Sequence, residues 1–222
     1  MSTLGRSSEY SYMKVGAESM ELMASVKRAN WTLEAGDGVA QAESAEADWV
    51  RAARSGDRAA FGALVQRHES TVLRVARRLL MDAHDAQDAA QDVFVRLYDH
   101  LHRFDERRPL TPWLYRITVN VCRTHARKRS RRTEAEHEAV RDAALHHSEA
   151  GATEAADWLE RGLARLSPRE RTALVLRDLE GLNATEAAKA MRCAPVTVRT
   201  LAARARLKLK QLHDAEQRGL VK

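Results

Sequence analysis

The stretch Asn183 to Leu209, NATEAAKAMRCAPVTVRTLAARARLKL, constrains this chain more than any other. It reads as a short helix, a tight connection and a longer helix opened by Pro195, where a missing N–H costs nothing. From Arg192 to Lys210 no acidic side chain occurs, while Arg192, Arg199, Arg204, Arg206, Lys208 and Lys210 are all cationic. Val196, Val198, Leu201, Ala202 and Ala205 supply small or apolar contacts inward, and Thr197, Arg199, Thr200 and Arg204 point elsewhere. A helix with an apolar face and cations alone on the other suits the DNA major groove, where those four residues reach base edges or phosphates. The bland alternative is a solvated basic helix in an ordinary bundle. The tight connection and the complete lack of acids favour DNA.

The rest of the chain is equally helical in character. Ala, Leu, Arg and Glu abound, whereas 222 residues hold 10 Gly, 4 Pro and 5% aromatics. The net charge of +6 is modest, so its placement matters more than its sum. Cys122 and Cys193 lie far apart without CxxC spacing, which fits a reduced cytoplasmic protein rather than a disulfide framework. No segment approaches the roughly 20 apolar residues of a membrane span, so no membrane insertion is expected.

Residues 1–45 mix Ser, Gly, Glu and Ala without sustained periodicity and read as a disordered extension, with a short helix around Ser19 to Arg28. A first domain spans 46–132. Asp57 is placed to cap a helix whose apolar positions run Phe61, Leu64, Val65, His68, Val72, Val75, Ala76, Leu79 and Leu80. A second helix, about Ala83 to Leu101, buries Ala86, Ala89, Ala90, Val93, Phe94, Leu97, Tyr98 and Leu101. Its other face presents Asp85, Asp88, Gln91, Asp92 and Asp99. A basic loop, His102 to Pro112, leads into a third helix from Trp113 that ends in Arg123, Arg127, Lys128, Arg129, Arg131 and Arg132.

Residues 133–153 read as a flexible linker. A second domain, 154–213, opens with a helix marked by Trp158, Leu159, Leu163 and Leu166, and 214–222 form a tail. Ser167-Pro168-Arg169-Glu170 is a capping box with proline at the first helical position, and Asn183 with Glu186 makes a similar start. The expected fold class is all-α, two small helical domains on a tether.

Aromatics beside cations on the Trp113 helix suit opened DNA, because bases stack on rings while phosphates meet arginines. Each stacked base contributes about 1–3 kcal/mol, comparable to the cost of extruding it, so such a site can hold an opened strand without ATP. Trp113 and Tyr115 also fit as core aromatics. The acidic face of the Ala83 helix would repel DNA; it reads as a solvated surface or as the seat of a basic partner. His137, His146 and His147 lie in the linker without tetrahedral ligand spacing, so no metal is expected. Phosphate loop, zinc-protease helix and nucleophile elbow are all missing from the sequence, so neither an enzyme nor a cofactor is expected.

Taken in order, these segments resemble a bacterial RNA polymerase sigma factor of the sigma-70 family, extracytoplasmic-function type. The run Asp85-Ala86-Gln87-Asp88-Ala89-Ala90-Gln91-Asp92-Val93-Phe94-Val95-Arg96-Leu97 is similar to its polymerase-binding helix. Trp113-Leu114-Tyr115-Arg116-Ile117-Thr118-Val119-Asn120 is similar to its promoter-melting helix, and Leu166 to Glu170 with Asn183 to Arg206 to the region that reads the −35 element. The resemblance covers about Asp48 to Leu212. It implies that Asp88, Gln91 and Asp92 bind the clamp helices of core polymerase, with the flap as a further contact. It also implies that the loop from Phe104, with Arg107 and Arg108, takes a flipped base beside Trp113, Arg116 and Asn120. Arg123, Arg127 and Lys128 would hold phosphates near the −10 element, and Thr197, Arg199, Thr200 and Arg204 would contact the −35 groove. Promoter DNA and an anti-sigma protein are the further partners implied. Two departures bear on the promoter sequence: Val196 stands where the family usually has glycine, and Thr124 and His125 stand where an acidic or polar residue is common.

Two other readings compete. One is a stand-alone helix-turn-helix regulator binding duplex DNA; the other is a metal- or redox-responsive interaction protein built on the histidine-rich linker.

Overall fold

A computed structural model describes residues 38–136 and 154–219. The expected helix around Ser19 to Arg28 and the linker histidines lie outside the described residues.

Helix α1 covers Gly38–Arg54, so helix begins ahead of the boundary expected near residue 46. Helix α2, Arg58–Leu80, starts where Asp57 accepts hydrogen bonds from the Ala59 and Ala60 amides, at 2.8 and 3.2 Å. That cap satisfies orphan donors of the first turn and is worth about 1 kcal/mol. The helix stops at Met81, which takes a left-handed conformation at φ 56°. Asp82 then caps α3, Ala83–His100, through the Asp85 amide. A single 3-10 turn, Leu101–Arg103, leads to the loop before α4, Leu110–Glu136. Leucine, threonine and proline fill the first turn of α4, where Pro112 sacrifices no helical hydrogen bond. The helix therefore starts before Trp113, and it runs past both the expected helix end near Lys128 and the expected domain boundary at 132.

Leu64, Val72, Leu80, Ala89, Val93, Leu97, Leu114 and Val121 make the first core, shared by α1 to α4. Buried His68 from α2 meets Glu46 of α1 at 3.0 Å, which satisfies that enclosed imidazole.

The second core lies among α5, Glu154–Ala164; α6, Pro168–Leu174; α7, Ala184–Met191; and α8, Pro195–Gln217. Both expected capping boxes form, at Ser167 with Glu170 and at Asn183 with Glu186. Gly162 lets α5 approach α8 closely: a Cβ there would lie 2.5 Å from Leu209 Cδ2. At the end of α6 the backbone widens into a π turn, Val175–Leu179, closed by the Glu180 amide on the Val175 carbonyl at 2.9 Å. Such wide turns are uncommon and re-aim the residues beside them. Asp178 lies within this turn and Glu180 directly follows it.

The two helical units are packed on each other. Val75 of α2 and Tyr115 and Val119 of α4 are buried within the second core, not the first. Arg171 of α6 donates to the Leu79 carbonyl of α2 at 3.1 Å. The linker expected over residues 133–153 lies mostly outside the described residues.

Candidate nucleic-acid interface

Asp88, Gln91 and Asp92 come together on one face of α3, as the i, i+3, i+4 spacing requires. Asp88 lies 3.4 Å from His84, one helical turn back. Asp92 Oδ2 lies 2.8 Å from His125 Nε2 of α4, so the departure at His125 has a structural role. Beside this acidic face runs an apolar groove of about 610 Å³ between α2 and α3. Phe61 and Tyr98 meet edge to face at its end, 5.0 Å apart. Periodicity assigned Tyr98 to the core; it is instead half exposed, with Val95 60% exposed beside it. Their hydrophobicity was legible in the sequence, but their outward position was not, because among the described residues no helix covers that edge of α3.

The basic loop is ordered by Asp105. Its carboxylate accepts from the Arg107 amide at 3.3 Å and from Arg107 Nε at 3.0 Å, and it sits 3.4 Å from Arg108 Nε. These bonds hold Asp105 below the ordinary carboxylate range and raise the Arg107 guanidinium. Both arginines stay largely exposed. Phe104, expected as part of a base-capturing loop, is instead buried at 8% exposure. Its ring stacks on Trp113 with centroids 5.0 Å apart and planes at 30°. It therefore acts as the floor beneath Trp113, which remains half-buried and has a partly open face.

Along α4, Arg116 and Arg123 are exposed and Asn120 sits between them. The Asn120 amide donates to the Arg116 carbonyl at 2.8 Å, and its oxygen accepts from Arg123 Nη2 at 3.0 Å. Arg127 and Lys128 continue the strip, both exposed. Arg129 leaves it: its guanidinium donates to Asp85 at 2.9 Å and to the Leu80 carbonyl at 3.2 Å. Tyr115 resolves as a core aromatic. It is 6% exposed, and its hydroxyl donates to Glu180 at 2.9 Å. Burial and the Glu180 carboxylate push that hydroxyl's pKa well up.

In the helix-turn-helix, α7 ends at Arg192, whose left-handed φ of 54° makes the tight connection. Arg199, Thr200 and Arg204 are exposed on α8, and Thr197 is half-buried beside them. The Thr200 hydroxyl donates to the Val196 carbonyl at 3.0 Å, and Val196 itself is 60% exposed. The six cations of the sequence do not act alike. Arg206 makes a two-pronged pair with Asp178, at 2.7 and 2.9 Å, and Lys208 Nζ reaches Glu170 at 2.8 Å. Hydrogen bonds from Lys208 and Ser167 hold Glu170 down at about 2. Arg206 and Lys208 thus fasten α8 to α6 and its π turn, and leave Arg192, Arg199, Arg204 and Lys210 to the outer face.

The described residues thus carry an acidic face on α3, a basic strip with an aromatic on α4, and a basic face on α8. Among the described residues, no group of three or more His, Cys, Asp or Glu is placed to hold a metal. No described helix is long and apolar enough to cross a membrane.

Comparison with known proteins settles what this pairing belongs to. Residues 64–132 match the Sigma-70 region 2 family, and residues 156–209 match Sigma-70, region 4. The chain belongs to the sigma-70 family. It is 32% identical over 170 residues to the RNA polymerase sigma-H factor of Pseudomonas aeruginosa, an alignment covering 71% of this chain and 88% of that protein. It is also 32% identical to the ECF RNA polymerase sigma factor SigM of Mycobacterium tuberculosis, over 77% of this chain and 85% of that one. Among solved structures, CnrH in complex with the cytosolic domain of CnrY matches with a TM-score of 0.58 and 30% identity, covering 77% of this chain and 98% of that one. Region 2 thus contains α2 to α4 and the acidic face, and region 4 contains α5 to α8.

Proposed function

We propose that this protein is an extracytoplasmic-function sigma factor that binds core RNA polymerase, directs it to specific promoters and helps open the −10 region. The observation that carries the reading is the order of three chemistries along one chain: an acidic helix, an aromatic-basic helix and a basic helix-turn-helix. Asp88, Gln91 and Asp92 meet the clamp helices of polymerase, with the apolar groove at Phe61 and Tyr98 as the adjoining contact. The flap takes region 4.

Trp113, floored by Phe104, stacks a base of the opened strand. Arg107 and Arg108 of the loop, with Arg116 and Asn120, surround it, and Arg123, Arg127 and Lys128 hold the phosphates that follow. Thr197, Arg199, Thr200 and Arg204 read the −35 element. Melting draws on binding energy and not on a catalysed reaction, so no enzyme activity or cofactor is involved. The protein works in the cytoplasm, where polymerase is, and an anti-sigma protein restrains it until a stress or envelope signal arrives.

Mixing the purified chain with core polymerase tests the reading. A sigma factor comigrates with core and by itself binds duplex DNA weakly, with a steep salt dependence. A stand-alone regulator binds duplex DNA tightly without core and does not comigrate, and that outcome would replace this reading.

A further inference from the structure

The cationic face of α8 carries an apolar line down its middle. Among the described residues, the large apolar side chains left exposed are Val95 and Tyr98 on α3 and Val196 and Leu207 on α8. Periodicity counted Val196 among the inward contacts with Val198, Ala202 and Ala205. Those three are buried, and Val196 points away from them, 60% exposed. Helix geometry explains the split. At about 3.6 residues per turn, Val196, Thr200, Ala203 and Leu207 follow i, i+4, i+7, i+11 spacing and lie along one line of the helix. Val198, Ala202, Ala205 and Leu209 take the opposite side and fill the region 4 core. Arg199 falls on one flank of the outer line and Arg204 on the other, both exposed.

Val196 is the second residue of α8, in the turn where a recognition helix meets base edges. It belongs to neither core. Its carbonyl accepts the Thr200 hydroxyl at 3.0 Å, so the donor next along the line is already spent within the helix.

The chemistry of the major-groove floor narrows what such a side chain can meet. Guanine offers acceptors there, cytosine a donor and adenine one of each; thymine alone adds a methyl group. A branched apolar side chain neither donates nor accepts. Pressed against guanine, cytosine or adenine, it strips water from a polar edge and returns no hydrogen bond. Against thymine, methyl meets methyl. The flanking cations supply the register. No acid occurs from Arg192 to Lys210, and Arg199 and Arg204 hold the DNA on either side while the line between them faces the floor.

We propose that Val196 is a specificity-determining residue that reads the C5 methyl group of a thymine in the −35 element. The inference rests on the sigma-factor reading. It gives a task to a side chain at a position where the family usually has glycine, which has none to make the contact. From Val196 to Ala203 the line is about 10 Å long, on the order of three base-pair steps, so the thymine lies close beside the base pairs that Arg199 and Arg204 meet.

The test uses the full chain with core polymerase, and duplexes carrying −35 elements from promoters mapped in cells that express the tagged protein. Each thymine is replaced singly by deoxyuridine, which removes the methyl group and keeps the base pair. Wild-type holoenzyme should bind about fourfold more weakly at one or two of these positions, the worth of one buried methyl. Val196→Ala should bind the unmodified duplex about threefold more weakly, and deoxyuridine at the same position should then cost it less than about 1.5-fold. Val196→Thr, which keeps one of the two methyls, should fall between. Arg199→Ala should weaken binding and retain the methyl dependence. Melting curves of the Val196 variants should match wild type, because the side chain they alter is exposed. Methyl dependence at no thymine of the element, or equal dependence in wild type and Val196→Ala, would overturn the proposal. Wild type that fails to comigrate with core would instead remove the sigma-factor reading beneath it.

Discussion

His125 Nε2 lies 2.8 Å from Asp92 Oδ2 and ties the basic helix α4 to the acidic face of α3. The imidazole is mostly buried and the carboxylate half exposed, so the bond fixes where Asp92 points while leaving its outer oxygen open. Truncating His125 to alanine should weaken core binding by roughly fivefold, about 1 kcal/mol, with little loss of helicity. Titration of core polymerase with labelled protein measures it. An unchanged affinity would mean that Asp92 needs no such support.

The larger effect belongs to the face itself. Gln91→Lys with Asp92→Lys should abolish core binding and leave the fold intact, because both side chains stand on the outer surface of α3. Comigration with core and a melting curve read the two halves. Retained core affinity would refute the assigned face.

Trp113→Ala should cut transcription from duplex promoters by about 1–3 kcal/mol in apparent free energy, the worth of one stacked base. A template already unpaired across the −10 region should recover most of the loss if the ring's task is to hold an opened strand. Phe104→Ala should show a similar pattern, since Phe104 is the ring on which Trp113 rests. A Trp113 variant equally defective on both templates would assign the ring to the core.

Arg199 and Arg206 look alike in sequence and should behave in opposite ways. Arg199→Ala should cost about 1–3 kcal/mol on the cognate −35 element if it makes a two-pronged base contact. If the salt slope alone changes, it touches phosphate. Arg206→Ala should leave base preference unaltered and lower the melting temperature, because it strands Asp178, whose side chain is 13% exposed. Competition with altered −35 duplexes separates the two.

Acid should loosen α8 from α6. The Lys208 and Ser167 hydrogen bonds hold Glu170 at about 2, below its value in an unfolded chain. Its contribution is therefore fully present above pH 5 and is lost as pH falls toward 2. Melting temperature against pH should show a drop across that window that is smaller in Glu170→Gln. Identical pH curves for the two proteins would contradict the pairing.

Much of this was legible beforehand because local rules and tertiary structure agree. Ser167-Pro168-Arg169-Glu170 caps a helix whatever surrounds it, and the spacing of Asp88, Gln91 and Asp92 places them on one face by helix geometry alone. What was not legible depends on long-range partners. Nothing near Arg206 or Lys208 in sequence distinguishes them from Arg204, since Asp178 and Glu170 arrive from another helix. Phe104 reads as a loop aromatic until Trp113 is seen stacked on it. The contact of Glu180 with Arg74, Arg78 and Tyr115 spans the linker, and no periodicity reports it.

Run-off transcription tests the central claim most directly. Purified core polymerase and the full chain, on templates drawn from promoters mapped in cells expressing the tagged protein, should give transcripts with defined start points that core alone does not make. Core binding without specific initiation, or transcripts indistinguishable from those of core alone, would contradict it.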